Sequence, residues 1–138
     1  MDYAIEIERI ACGYGQKFAI QDVTFQVPRG KLTSVIGPNG AGKTTLFRAI
    51  TGMLPLKNGQ ILVDGESITQ MNHKSMAKRL AIVNQTVEAD NISIEDYVLL
   101  GRLPYHTPFQ LFESATDFAI AEESMKLTGV WEKRHKLM

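Results

Sequence analysis

An α/β domain is the fold class this sequence predicts, and three adjoining features predict it. Residues Gly37-Pro38-Asn39-Gly40-Ala41-Gly42-Lys43-Thr44-Thr45 spell G-x-x-x-x-G-K-[ST]. The apolar run Leu32-Thr33-Ser34-Val35-Ile36 directly before them predicts a short buried strand. The run from Lys43 to Thr51 directly after them predicts a helix, with Leu46, Phe47, Ile50 and Met53 as its apolar face and Gly52 then Pro55 as its stop. Strand, glycine-rich loop and helix in that order are the setting of the phosphate-binding Walker A loop of nucleoside triphosphatases. A chance match to the motif alone would occur in roughly half a per cent of chains this long.

The residue types fit that chemistry. Gly37, Gly40 and Gly42 permit backbone angles that turn successive amides inward around phosphate oxygens. The helix beginning near Lys43 adds unpaired N–H donors and the positive end of its dipole. Lys43 is expected to reach the β- and γ-phosphates, Thr44 to offer its hydroxyl to Mg²⁺, and Thr45 to bond the α-phosphate side. Pro38, Asn39 and Ala41 complete the loop.

Other elements follow in order. Tyr3 to Ala11 and Ala19 to Val27 alternate apolar and polar residues loosely and predict two strands joined by Gly13-Tyr14-Gly15. Gly59 to Ile68 reads as strand, Asp64-Gly65 turn, strand, the strongest short hairpin signal. Met71 to Leu80 predicts a short helix capped by Asn72, and Ala81-Ile82-Val83-Asn84 a buried strand that stops at Gln85. Beyond it the chain turns helical. Ser93-x-x-Asp96 opens a helix that Gly101 closes, and Ser114-x-x-Asp117 opens another running to Gly129.

Composition narrows the function classes. With 44% hydrophobic and 22% charged residues among 138, the chain resembles a globular domain and not a disordered one. Fifteen basic and fifteen acidic residues cancel, so no basic field points to a nucleic-acid partner. No apolar run approaches the ~20 residues of a membrane span, and Met1-Asp2-Tyr3 begins no signal peptide, so a cytoplasmic location is expected. Cys12 is the single cysteine and reads as a small strand residue. His73, His106 and His135 lack ligand spacing and read as surface or loop residues.

Taken in series, these segments resemble the amino-terminal half of an ABC-type ATPase subunit, from about Ile5 to the last residue. Four features carry the resemblance: Tyr14 between its glycines, the loop Gly-Pro-Asn-Gly-Ala-Gly-Lys-Thr-Thr, the segment Asn58-Gly59-Gln60-Ile61 with Asp64-Gly65, and Ala81-Ile82-Val83-Asn84-Gln85. The resemblance implies a P-loop core with an antiparallel β subdomain over residues 1–85, and a Q-loop with the start of a helical subdomain over 86–138. It implies that Tyr14 stacks on adenine, a role a lone tyrosine in a turn would not suggest. It also implies that Gln85 joins the Mg²⁺ shell, senses the γ-phosphate and couples it to motion of the helical part.

A narrower resemblance lies in Ile94 to Tyr105, where Gly101-Arg102-Leu103-Pro104 is similar to ATPases of iron-chelate, haem and cobalamin importers. There the segment forms part of the surface that receives a helix of the membrane-spanning subunit. Tyr105, Pro108, Phe109 and Phe112 would then wall an apolar groove, or else pack the helical subdomain's own core. The resemblance thus implies ATP and Mg²⁺ as ligands, with permease subunits and a second copy of the ATPase as partners. The implied location is the inner face of the cell membrane.

The family's Leu-Ser-Gly-Gly-Gln-like signature, apolar strand ending in Asp-Glu and switch histidine are not found in these 138 residues. Ile61-Leu62-Val63-Asp64 comes nearest to the strand, but Gly65 follows where Glu is wanted. The expectation is a carboxy-terminally shortened piece that binds ATP weakly and turns it over negligibly, for want of a residue to orient water. Unpaired edges beside Leu32 to Ile36 lead to an expectation of association or poor solubility, which light scattering reports. Two other classes share part of this pattern. A soluble ABC-type ATPase shares the motifs. A GTP switch predicts Asp-x-x-Gly and Asn-Lys-x-Asp, yet Ser67 stands three residues after Asp64 and Lys57-Asn58 is reversed.

Overall fold

The computed structural model describes residues 2–17, 19–83 and 91–138. They form two compact units, Met1–Leu80 and Ala81–Met138.

The first unit is a four-stranded antiparallel sheet carrying two helices. Strands β1 (Tyr3–Cys12), β2 (Ile20–Pro28), β3 (Leu56–Val63) and β4 (Glu66–Ser67) lie in the order β2-β1-β3-β4. The Asp64-Gly65 turn pairs Val63 with Glu66, and both turn residues take positive φ, 52° and 76°. That is the geometry a two-residue hairpin requires for its twist to match its strands. The ladder of β1 with β3 is interrupted where Arg9 and Ile10 oppose the single residue Gly59, a β-bulge. Bulging turns the Arg9 amide away from the ladder, and Thr24 Oγ1 accepts its hydrogen bond at 2.9 Å.

Helix α1 (Lys43–Ile50) lays Leu46, Ala49 and Ile50 on a core formed by Ile7, Ile10, Cys12, Ile61, Val63 and Ile68. Each fully buried isoleucine contributes about 1.5–3 kcal/mol. Phe47 does not join the core and is half exposed, because it stands one position beyond the stripe formed by 45, 46, 49 and 50; Met53 lies past the helix end and is exposed too. Gly52, at φ 71°, closes the helix as expected. Helix α2 (His73–Arg79) starts at Asn72, whose Oδ1 accepts from the Ser75 amide at 2.8 Å, and contributes Met76 to the rim of the core. Cys12 is a buried strand residue, and burial pushes its thiol pKa up.

Two strands expected from the sequence do not form. Residues 31–38 are irregular, with Leu32 97% and Ile36 92% exposed, and residues 81–83 are irregular with Val83 96% exposed. The reason is pairing. A strand hides its backbone groups only by laddering with a neighbour, and among the described residues nothing ladders with either segment. Asn84 and Gln85 lie outside the described residues.

The second unit packs helix α3 (Ile94–Leu100) against helix α4 (Ala115–Leu127) around Leu99, Ala121 and Met125. Ser93 caps α3, accepting from the Asp96 amide at 3.0 Å, and Ser114 caps α4 in a complete capping box with Asp117. Among the described residues, no helix is long and apolar enough to cross a membrane.

Candidate functional site

The loop from Gly37 to Gly42 leads into α1 through a turn in which the Ala41 amide donates to Pro38 O at 3.2 Å. Gly40 and Gly42 take φ of 83° and 90°, where a side chain is disfavoured. At Gly42 space also excludes one, since a Cβ would stand 2.5 Å from Ile20 Cγ2. Helices α2, α3 and α4 each begin at a side-chain cap, from Asn72, Ser93 and Ser114. Helix α1 begins at Gly42 with no side-chain cap and no acidic residue in its first turn. Its leading amides and dipole are therefore not answered by a side chain, and the chemistry they answer is an anion.

Lys43 stands at the first position of that helix. Its ammonium donates to Gly37 O at 2.7 Å and Pro38 O at 2.8 Å, drawing the two ends of the loop together. An ammonium has three donors; among the described residues two are used, which leaves one for a phosphate oxygen. Thr44 is exposed and offers its hydroxyl at the same turn, whereas Thr45 is buried at the helix–sheet contact. The cradle, the Lys43 ammonium and the exposed Thr44 hydroxyl fit a nucleotide phosphate chain with a divalent ion. Among the described residues no group of three or more His, Cys, Asp or Glu gathers to hold a metal by itself.

Tyr14 sits half exposed in the turn between β1 and β2, and its hydroxyl accepts from Arg48 Nη1 of α1 at 2.7 Å. Lys57 of β3 donates to Gly15 O in the same turn. The structure thus joins Tyr14 to the phosphate-loop helix. Nothing in the sequence marks Arg48 or Lys57 for these contacts, because partners 34 and 42 residues away leave no local pattern. Gln85 lies outside the described residues, so its expected place at the site has no structural counterpart here.

In the second unit the segment after α3 forms a 3-10 turn, Leu103–Tyr105, with the Arg102 guanidinium 4.2 Å from the Tyr105 ring centre. Phe109 is 93% and Phe112 79% exposed, and Pro108 and Leu111 are exposed as well. These side chains do not pack the unit's core, which α3, α4 and Trp131 fill instead. The loop's polar groups converge on buried Asp117. Its carboxylate accepts from Ser114 Oγ at 2.6 Å, Ser114 N at 3.0 Å, Arg102 Nε at 3.0 Å and Gln110 Nε2 at 3.1 Å. His106 Nε2 lies 3.8 Å away, and its side chain is only 11% exposed, so His106 is a loop residue but not a surface one.

The Ser114 hydroxyl and amide, then Arg102, hold the Asp117 pKa well below the usual carboxylate range against the opposing effect of burial. A depressed folded pKa contributes stability that is present above the unfolded value, about 3.9, and is lost as pH falls through the folded one. Acid titration is expected to loosen the 102–117 segment progressively once pH drops below about 4. Asp117→Asn should be less stable at neutral pH and flatter in acid; a parallel acid profile for both proteins, followed by circular dichroism, would contradict this role.

The chain is similar to known proteins in sequence and in fold. The family model described as ABC transporter matches residues 20–138. The iron(3+)-hydroxamate import ATP-binding protein FhuC of Bacillus subtilis is 31% identical over 130 residues, covering 94% of this chain and 48% of the relative. The manganese transport system ATP-binding protein MntB of Listeria innocua is 41% identical over 103 residues, 72% of this chain and 41% of the relative. An ABC transporter ATP-binding protein of B. subtilis, YvrA, is 33% identical over 91% of this chain and 29% of its own length. The chain therefore spans half or less of these relatives. Among solved structures, a nucleotide-free ATP-binding cassette from an ABC transporter superposes with TM-score 0.81 at 21% identity, over 98% of this chain and 57% of that one. An ATP-binding subunit of an ABC transporter gives 0.78 at 24% identity, over 98% and 54%. At such identities the structures speak for the fold alone, and the family model with the sequence relatives supplies the rest: the chain belongs to the ABC transporter family of ATP-binding proteins.

Proposed function

We propose that residues 1–138 form the nucleotide-holding part of an ATP-binding subunit that energises an importer of iron chelates or of chemically related haem or cobalamin. The observation that carries this is the first turn of α1. It has no side-chain cap, is led in by glycines at positive φ, and is headed by Lys43. The amides of the loop and of α1 would bind the phosphate chain, Lys43 would neutralise the terminal phosphates, and Tyr14 would lie against the adenine. Mg²⁺, held by Thr44 and Gln85, would screen charge on the phosphates. The subunit would work at the inner face of the cell membrane as a pair, each copy bearing on a membrane-spanning subunit.

The exposed apolar side chains between Leu103 and Phe112 support the membrane-subunit contact, because an exposed apolar run on a segment pinned from beneath by Asp117 is what a docking helix needs. Tyr105→Asp should abolish association with the membrane-spanning subunit in detergent while leaving Mg-ATP affinity unchanged; loss of both, or of neither, would count against the docking reading. Residues 1–138 would hold ATP without turning it over, since none of them is an Asp-Glu pair at a strand end. Steady phosphate release from Mg-ATP by the pure protein would overturn that part. A metal-ion cargo is the second reading, favoured by the manganese-system relative at 41% identity.

A further inference from the structure

We infer that Arg48 is a positioning residue for the nucleotide base, acting through the Tyr14 hydroxyl; the inference rests on the reading of Tyr14 as the base-stacking ring. Tyr14 stands on a turn between two glycines, closed locally by the Lys17 amide donating to Tyr14 O at 3.1 Å. A half-exposed tyrosine on such a turn would sample several rotamers, and a base that stacks on it would have to halt that motion. Here the ring is held at its tip, by Arg48 Nη1 at 2.7 Å, and its turn is held at the next residue, by Lys57 Nζ on Gly15 O.

The anchor comes from the helix that carries the phosphate site. Lys43 heads α1 and Arg48 follows five residues later, about 7.5 Å along the axis at 1.5 Å per residue. Helix α1 is itself fixed to the sheet by Leu46, Ala49 and Ile50. One rigid element thus sets both where the phosphates lie and where the ring lies, so the span from phosphates to base is built in before nucleotide arrives. Arg48 does not need to touch the nucleotide. The positions three and four residues away along the chain, which share its face, are Thr44, Thr45, Thr51 and Gly52, so no acidic side chain at those positions competes for the guanidinium.

The test is calorimetric titration of the protein with Mg-ATP and, separately, with Mg-tripolyphosphate, which has the phosphates and no base. Tyr14→Ala should weaken Mg-ATP roughly 10- to 100-fold, the range of a lost base stack. Tyr14→Phe and Arg48→Met should each weaken it roughly 2- to 10-fold, the cost of immobilising one side chain. The double variant should be no weaker than either single, Arg48→Lys should retain most of the affinity, and tripolyphosphate binding should be unchanged throughout. If Tyr14→Ala weakens Mg-ATP but Tyr14→Phe and Arg48→Met bind as the unmodified protein does, the anchoring is overturned and base stacking stands. If Tyr14→Ala has no effect, base stacking fails and the inference falls with it. Equal weakening of Mg-ATP and tripolyphosphate by Arg48→Met would assign Arg48 to the phosphates or to the fold, which also overturns it.

Discussion

Replacing Gly59 with alanine is expected to disrupt the sheet of the first unit, with a loss of about 2–5 kcal/mol. Two costs combine. Gly59 has φ +78°, where a Cβ costs about 1–2 kcal/mol by itself. That Cβ would also meet the Glu8 and Arg9 carbonyl oxygens of β1 at 2.3 and 2.4 Å. These are backbone atoms and cannot rotate aside, so β1 and β3 must separate at the bulge, a cost of about 1–3 kcal/mol by analogy with overpacked cores. A unit of this size is stable by roughly 4–12 kcal/mol, so the variant would stand near the edge of folding. Gly65→Ala is the control: its φ is +76°, yet nothing lies within 4 Å of the added Cβ. Urea denaturation should show Gly59→Ala losing clearly more stability than Gly65→Ala. Equal losses would mean that the strands do not approach at the bulge as described.

Lys43→Ala is expected to weaken Mg-ATP roughly 10- to 100-fold while changing the melting temperature little. A hydrogen bond to a charged partner contributes about 1.5–3 kcal/mol, which converts to that range of affinity. Among the described residues the ammonium bonds to the exposed carbonyls of Gly37 and Pro38, so removing it leaves no buried partner of those bonds unpaired. The loss should therefore fall on binding and not on folding. A variant that loses both together would show instead that Lys43 holds the loop's fold.

Local chemistry explains which parts of the fold were legible. Asn72, Ser93 and Ser114 cap helices at the positions their types suggest, and Asp64-Gly65 makes its hairpin, because each signal is complete within four residues. The segments Leu32 to Ile36 and Ala81 to Val83 carry strand-like composition and form none. Strand formation belongs to a pair of segments, and composition reports only one of them. Phe47 shows the same limit within a helix: its type suits a core, but the stripe of α1 that faces the sheet passes it by.

The candidate site divides in the same way. The loop from Gly37 to Thr45 was legible as a glycine-led entry to a helix, because its residue types are set at consecutive backbone positions. The tie of Arg48 to Tyr14, the tie of Lys57 to Gly15, and the gathering of Arg102 and Gln110 on Asp117 were not legible. Each joins side chains whose types are unremarkable alone and whose partners are set by tertiary packing. Exposure of Phe109 and Phe112 could not be read either, since the same aromatics would have suited a buried core.

Whether the uncapped, lysine-headed turn of α1 holds a nucleotide is read by calorimetric titration of Mg-ATP onto the unmodified protein. Saturable binding at one site per chain, weakened by Lys43→Ala, is the expected result. Absence of binding by the unmodified protein, or binding that Lys43→Ala leaves unchanged, would contradict it.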